Sequence, residues 1–145
     1  MKIAVIEDSS TYKNVLKKII KETTSWEVDF FSDASHFGRE AKLSDYSIII
    51  IDFHLPGING RELLKSISNK TKAQLALMTS KTEWISEEDL NNGTISTIIE
   101  KMPPNKVIDS LKYLEAKAMI NKYTETEEKN MEEMINLTNG NGKKE

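Results

Sequence analysis

Ser47-Ile48-Ile49-Ile50-Ile51-Asp52-Phe53-His54-Leu55-Pro56-Gly57 is the stretch that decides the fold. Four consecutive isoleucines carry no polar alternation, so the strand they form is covered on both faces, as in a parallel sheet packed between helices. Asp52 ends that run and opens onto a Pro-Gly turn, at the carboxyl edge where α/β sheets bind ligands. The other apolar runs end in the same way. Lys2-Ile3-Ala4-Val5-Ile6 is followed by Glu7-Asp8, Gln74-Leu75-Ala76-Leu77-Met78 by Thr79-Ser80, and Ile98-Ile99-Glu100 by Lys101. One sheet edge is thereby expected to collect three carboxylates, a hydroxyl and an ammonium group. Taken singly, each has a plain structural explanation, because turns favour Asp and a lysine solvates a strand end. Taken together on one edge, they indicate a site.

Between the strands the periodicity changes to that of helices. Ser9-Ser10 caps a helix running to Thr23, with Tyr12, Val15, Leu16, Ile19 and Ile20 at helical spacing. Residues 26–31 read as the second strand and 34–43 as a weak helix. Asn59-Gly60 leads into a helix over 61–68, 82–90 form a short acidic helix closed by Asn91-Asn92-Gly93, and 95–100 form the fifth strand. From Asn105 onward Val107, Ile108, Leu111, Leu114 and Ala118 mark the apolar face of a long last helix. Five β-α units in this order predict a doubly wound parallel sheet with right-handed crossovers.

Composition narrows the function classes. The 145 residues carry 38% hydrophobic content, enough for one domain and a short appendage. A net charge of −3 gives no basic footprint for nucleic acid and no polybasic segment for a membrane surface. Cysteine is absent, which excludes disulfides and thiolate chemistry and fits a reducing cytoplasm. No apolar stretch approaches the ~18 residues of a membrane span, and the acidic Glu7-Asp8 comes too early for a signal peptide. Neither a P-loop nor a Gly-rich dinucleotide loop occurs.

Residues 1–120 resemble the receiver domain of two-component response regulators, a CheY-like fold with sheet order 2-1-3-4-5. The resemblance rests on Glu7-Asp8, on Asp52 through Gly57 with Gly60, on Thr79-Ser80 and on Lys101, in the family's order and spacing. It implies that Asp52 accepts a phosphoryl group from a sensor histidine kinase or a histidine phosphotransfer protein. Glu7, Asp8, Asp52 and the backbone carbonyl of His54 would hold Mg2+, Thr79 would bind the phosphoryl group, and Lys101 would pair with it. A crowd of carboxylates independently suits a hard, oxygen-seeking cation, and phosphoryl transfer needs mainly positioning and charge neutralisation.

The resemblance also marks His54 and Lys81 as residues that tune the lifetime of the phosphoryl group, and Ser80 as the small residue that leaves access to Asp52. Ile98 stands at the switch position where the family usually has an aromatic residue, which argues against an aromatic rotamer switch. Met102 stands where the family usually has a proline after the lysine. The Lys101-Met102 peptide is therefore expected to be trans, or the cis bond to move to Met102-Pro103. Trp84 is expected near the metal edge or packed under the fourth helix, and His36 at the surface.

The resulting expectation is a stand-alone, cytoplasmic receiver, a signalling phosphoacceptor and not a conventional enzyme. It would assist its own phosphorylation and dephosphorylation and signal through altered protein binding at the helix 4, strand 5 and helix 5 surface, with a homodimer possible. The alternative is a degenerate receiver used as a scaffold without phosphorylation. An aspartate-nucleophile phosphatase of the haloacid-dehalogenase type fits less well, because His54 stands where its second Asp belongs. Residues 121–145 read as a charged extension, helical in part and disordered over the last eight residues, with Met131, Met134, Ile135 and Leu137 as a small apolar stripe.

Overall fold

A computed structural model describes the backbone of residues 1–91 and 93–143, with side chains through 138. Five strands, β1 (Lys2–Ile6), β2 (Glu27–Phe31), β3 (Ile48–Asp52), β4 (Gln74–Thr79) and β5 (Thr97–Glu100), form one parallel sheet in the order β2-β1-β3-β4-β5. Helices α1 (Ser10–Thr23), α2 (Ala34–Glu40), α3 (Gly60–Ile67), α4 (Glu87–Asn91) and α5 (Pro104–Lys143) connect and flank them. This is the CheY-like topology that the sequence predicts.

The isoleucine run works as expected because alternate side chains enter opposite layers. Ile49 and Ile51 pack with Phe37 of α2 and with Leu63, Leu64 and Ile67 of α3. Ile48 and Ile50 pack with Leu16 and Ile20 of α1 and with Val107, Leu111 and Leu114 of α5. All four isoleucines are fully buried, so each layer seals one face of the central strand.

Three boundaries depart from the sequence reading. The helix expected over 34–43 stops at Glu40, where the Ala41 N–H bonds to the Phe37 carbonyl, and a separate 3-10 turn follows at Leu43–Asp45. Ala41 and Leu43 then pack on the core, which draws the chain out of the helix. The helix expected over 82–90 is two pieces, a 3-10 turn at Thr82–Trp84 and α4. Ser86 causes the break: its hydroxyl accepts from the Asp89 N–H, and the Asp89 carboxylate accepts from the Ser86 N–H, a reciprocal cap that starts the helix afresh. Residue 92, in the expected Asn-Asn-Gly stop, lies outside the described residues.

The third departure is the tail. Residues 138–143, expected to be disordered, continue α5, while 144 and 145 lie outside the described residues. Adding residues to an existing helix avoids the unfavourable nucleation step, so weak helix formers follow a long segment already wound.

Candidate functional site

Every side chain expected at the carboxyl edge is delivered there by the end of a strand. Parallel pairing sets Ile51 beside both Ile6 and Leu77, and Asp52 beside Met78, so β1, β3 and β4 end level with one another. The Lys101 N–H donates to the Thr79 carbonyl at 2.9 Å, which brings the residue after β5 to the same edge. After β3 the chain reverses through Gly57, whose φ of 85° is left-handed. The reversal closes with the Gly60 N–H donating to the Phe53 carbonyl at 2.9 Å. Gly60 passes so close to β3 that a Cβ would stand 2.2 Å from the Asp52 carbonyl oxygen.

Glu7, Asp8 and Asp52 each offer a carboxylate oxygen within 4.8 Å of the others. Glu7 and Asp52 are buried and Asp8 is exposed, which leaves the cluster open to solvent on one side. Glu7 Oε1 accepts from the Ser9 N–H at 3.0 Å, and Asp52 Oδ1 accepts from the His54 N–H at 3.3 Å. The second oxygen of each faces Lys101, whose Nζ lies 2.8 Å from Glu7 Oε2 and 3.3 Å from Asp52 Oδ2. Burial, and then the Glu7 carboxylate, push Asp52 up to about 7, against the opposing pull of Lys101 and the His54 N–H.

These donors suit a hard divalent cation. They are oxygens, they crowd negative charge beyond what one ammonium neutralises, and Glu7 Oε2 is buried with an ion-pair partner but no aligned hydrogen bond. The His54 ring takes no part in the cluster. It packs edge-on against Trp84 with centroids 4.2 Å apart, and its neighbour Phe53 stacks on the same indole at 6.5 Å. Lys81 Nζ stands 5.3 Å from the Trp84 centroid. Trp84 is thus neither buried under the fourth helix nor free: at 38% exposure it roofs the loop that follows Asp52.

Thr79 is buried, and its hydroxyl is occupied, donating to the Lys81 carbonyl at 3.0 Å and accepting from the Lys81 N–H at 3.1 Å. Ser80 is exposed beside it. Ile98, paired with Leu77, is half-buried against the α2-α3 core layer and has no polar tip. The cis peptide is at Met102-Pro103, as the sequence allows. His36 is half-buried, its Nδ1 accepting from the Ser32 N–H at 3.2 Å.

Two contributors were not anticipated. The Tyr12 hydroxyl donates to the Lys101 carbonyl at 3.1 Å, and its ring lies 4.6 Å from Lys101 Nζ, so one side chain of α1 positions both ends of the lysine. Burial, with Glu7 and Asp52 nearby, raises the Tyr12 phenol above its ordinary value and keeps it a donor. Arg61, at the start of α3, pairs with buried Asp89 of α4 at 2.8 Å and lies 5.4 Å from the Phe53 ring. The helical spacing of Tyr12 signals core and says nothing of its hydroxyl, whereas Ser86 and Asp89 carry a capping pattern that sequence does show.

A family model described as the response regulator receiver domain matches residues 3–112. Among curated proteins, the transcriptional regulatory protein ResD of Bacillus subtilis is 22% identical over 86% of this chain and 50% of its own length. The regulatory protein VanRB of Enterococcus faecalis is 28% identical over 55% of this chain and 36% of its own. The chain thus spans half or less of the length of these relatives. Among solved structures, the response regulator TrrA from Thermotoga maritima in complex with Mg2+ and BeF is 23% identical. It covers 78% of this chain and 97% of that one, with a TM-score of 0.68. The chemotaxis response regulator CheY4 of Vibrio cholerae, 16% identical, has the same coverages and TM-score. These structures share the fold. Receiver domains are signalling phosphoacceptors that bind Mg2+ at an acidic site and interact with histidine kinases or phosphotransfer proteins. With the match spanning most of its length and the acidic cluster at the predicted edge, the chain belongs to the response regulator receiver domain family.

Proposed function

We propose that Asp52 is the phosphoacceptor. A carboxylate oxygen of Asp52 attacks the phosphorus of a phosphohistidine on a sensor histidine kinase or a phosphotransfer protein. A P–O bond forms, the P–N bond breaks, and the departing imidazole takes up a proton. The observation that carries this reading is the position of the buried Asp52 carboxylate, 3.3 Å from Lys101 and within 4.8 Å of Glu7 and Asp8. Glu7, Asp8, Asp52 and the His54 carbonyl hold Mg2+, which supplies neutralisation of the phosphoryl oxygens when bound.

Present contacts support the remaining roles. Lys101 is held by Tyr12 within reach of both carboxylates and pairs with a phosphoryl oxygen. Thr79 exchanges its bond to the Lys81 carbonyl for one to the phosphoryl group, releasing the 79–81 turn. Ile98, lacking an aromatic ring, follows that motion by repacking beside Leu77. Ser80 leaves the approach open, and His54 and Lys81, gathered on Trp84, limit the approach of water and set the phosphoryl lifetime.

The changed α4, β5 and α5 surface then binds a downstream protein in the cytoplasm, with residues 1–120 as the receiver and 121–145 as an extension. Among the described residues no helix is long and apolar enough to cross a membrane.

Beryllofluoride, which mimics an aspartyl phosphate, tests the reading through Trp84 fluorescence. A saturable change that requires Mg2+ and vanishes in Asp52→Ala is expected. A folded protein with no response in the presence of Mg2+ would overturn it.

A further inference from the structure

Past Ala118 the apolar side of α5 changes over. Inside the domain Val107, Leu111, Leu114 and Ala118 are buried and define the face that meets the sheet. At 3.6 residues per turn, the exposed apolar side chains from Tyr113 to Leu137 fall in an arc of roughly 160° on the opposite side. They range from 46% exposed at Tyr113 to 69% at Tyr123 and Leu137. Meanwhile the domain-facing side turns polar, and Glu125 there pairs with Lys72 at 3.7 Å. The stripe therefore points away from its own domain.

Its spacing is that of a helix-pairing seam. Tyr113, Ile120, Glu127 and Met134 recur every seven residues, and Ala116, Tyr123, Asn130 and Leu137 recur every seven residues three places later. Alternation of three and four along one unbroken helix is the heptad pattern of two-stranded coiled coils. Flanking Met119, Met131 and Ile135 widen the apolar face.

We propose that this face pairs with the same face of a second copy of the chain, antiparallel. The exposed stripe amounts to roughly 900 Å² per copy for side chains of this size, against the ~800 Å² per partner of a standard stable interface. Parallel pairing would set Glu127 against its own equivalent inside the seam. Antiparallel pairing centred near residue 125 sets Glu127 beside Tyr123, Ile120 beside Asn130, Ala116 beside Met134 and Tyr113 beside Leu137, so the small Ala116 meets the large Met134 and the two glutamates separate. Residues 119–138 carry Lys122 and Lys129 against Glu125, Glu127, Glu128, Glu132 and Glu133, so the two helices repel at long range. Added salt screens that repulsion and tightens the dimer, whereas it would loosen a complex with a basic partner. The pairing is independent of the role of Asp52.

Sedimentation velocity of the full chain across a concentration series at two salt levels tests the proposal. A monomer-dimer equilibrium strengthened by salt is expected, shifted at least tenfold toward monomer by Ile120→Glu with Met134→Glu, and tightened by Glu127→Leu. Both glutamate substitutions fall at exposed positions, so an unchanged melting profile of the domain separates lost pairing from lost folding. The chain has no cysteine, so Ala116→Cys and Met134→Cys report orientation directly. Disulfides forming mainly between the two variants when mixed support antiparallel pairing, and a dominant Ala116→Cys homodimer disulfide overturns it. A chain monomeric at every concentration and salt level, or a dimer indifferent to the glutamate pair, overturns the proposal as a whole.

Discussion

The ammonium group of Lys101 sits 2.8 Å from Glu7 Oε2, a pair formed between the residues that follow the fifth and the first strand. The lysine side chain is 16% exposed and that of Glu7 is sealed from solvent, so little water screens the contact. Among the described residues Lys101 is the cation paired with this cluster, and in metal-free protein its single charge offsets only part of that of three carboxylates.

Replacing Lys101 by methionine is accordingly expected to destabilise the metal-free protein by about 2–4 kcal/mol at pH 8, by leaving buried carboxylates unpaired. On the proposed role of these carboxylates, Mg2+ should restore much of the loss by neutralising the same oxygens. Thermal melts with Mg2+ and with a chelator check this; a Mg2+-independent loss would contradict it.

Asp52 gives the metal-free protein an unusual pH dependence. Its folded-state value of about 7 lies above the ordinary carboxylate range, so between roughly pH 4 and 7 the native state holds a proton that the unfolded chain has released. This contribution to stability is full below that window, falls as pH rises through it, and levels off above. Asp52→Asn should flatten the slope and raise stability at pH 8 by about 1–3 kcal/mol in chelator. Urea denaturation at several pH values reads the slope.

Gly60 and Gly38 should respond in opposite directions to alanine. A Cβ at Gly60 meets the Asp52 carbonyl at 2.2 Å, backbone that shifts only by moving Asp52 itself, so the substitution should cost about 3 kcal/mol or more and, on the proposed role of Asp52, impair phosphorylation. A Cβ at Gly38 meets nothing within 4 Å inside α2, and alanine there should stabilise by about 0.5–1 kcal/mol. Paired melting curves decide between these signs.

The legible parts of this protein were those encoded by neighbours in sequence. A run such as Ile48-Ile49-Ile50-Ile51 can be satisfied only between two apolar layers, and once five runs are strands of one parallel sheet, the residues after them must share an edge. Glu7, Asp8, Asp52, Thr79 and Lys101 were therefore found together. Contacts between elements far apart were hidden. The Tyr12 hydroxyl bonds to a carbonyl 89 residues away, and Arg61 selects Asp89 from a segment rich in acidic residues because the Ser86 cap buries that one carboxylate. The split of the fourth helix was missed because acidic composition and helical spacing outweighed the cap at Ser86. The reach of α5 was missed because residue composition describes isolated segments and takes no account of a helix already nucleated.

Intact mass spectrometry after incubation with acetyl phosphate reads whether Asp52 takes a phosphoryl group. One added phosphoryl mass is expected that requires Mg2+, disappears in Asp52→Ala, and is released by hydroxylamine as an acyl phosphate should be. An unmodified mass in folded, Mg2+-loaded protein, or a phosphoryl group that persists in Asp52→Ala, would contradict it.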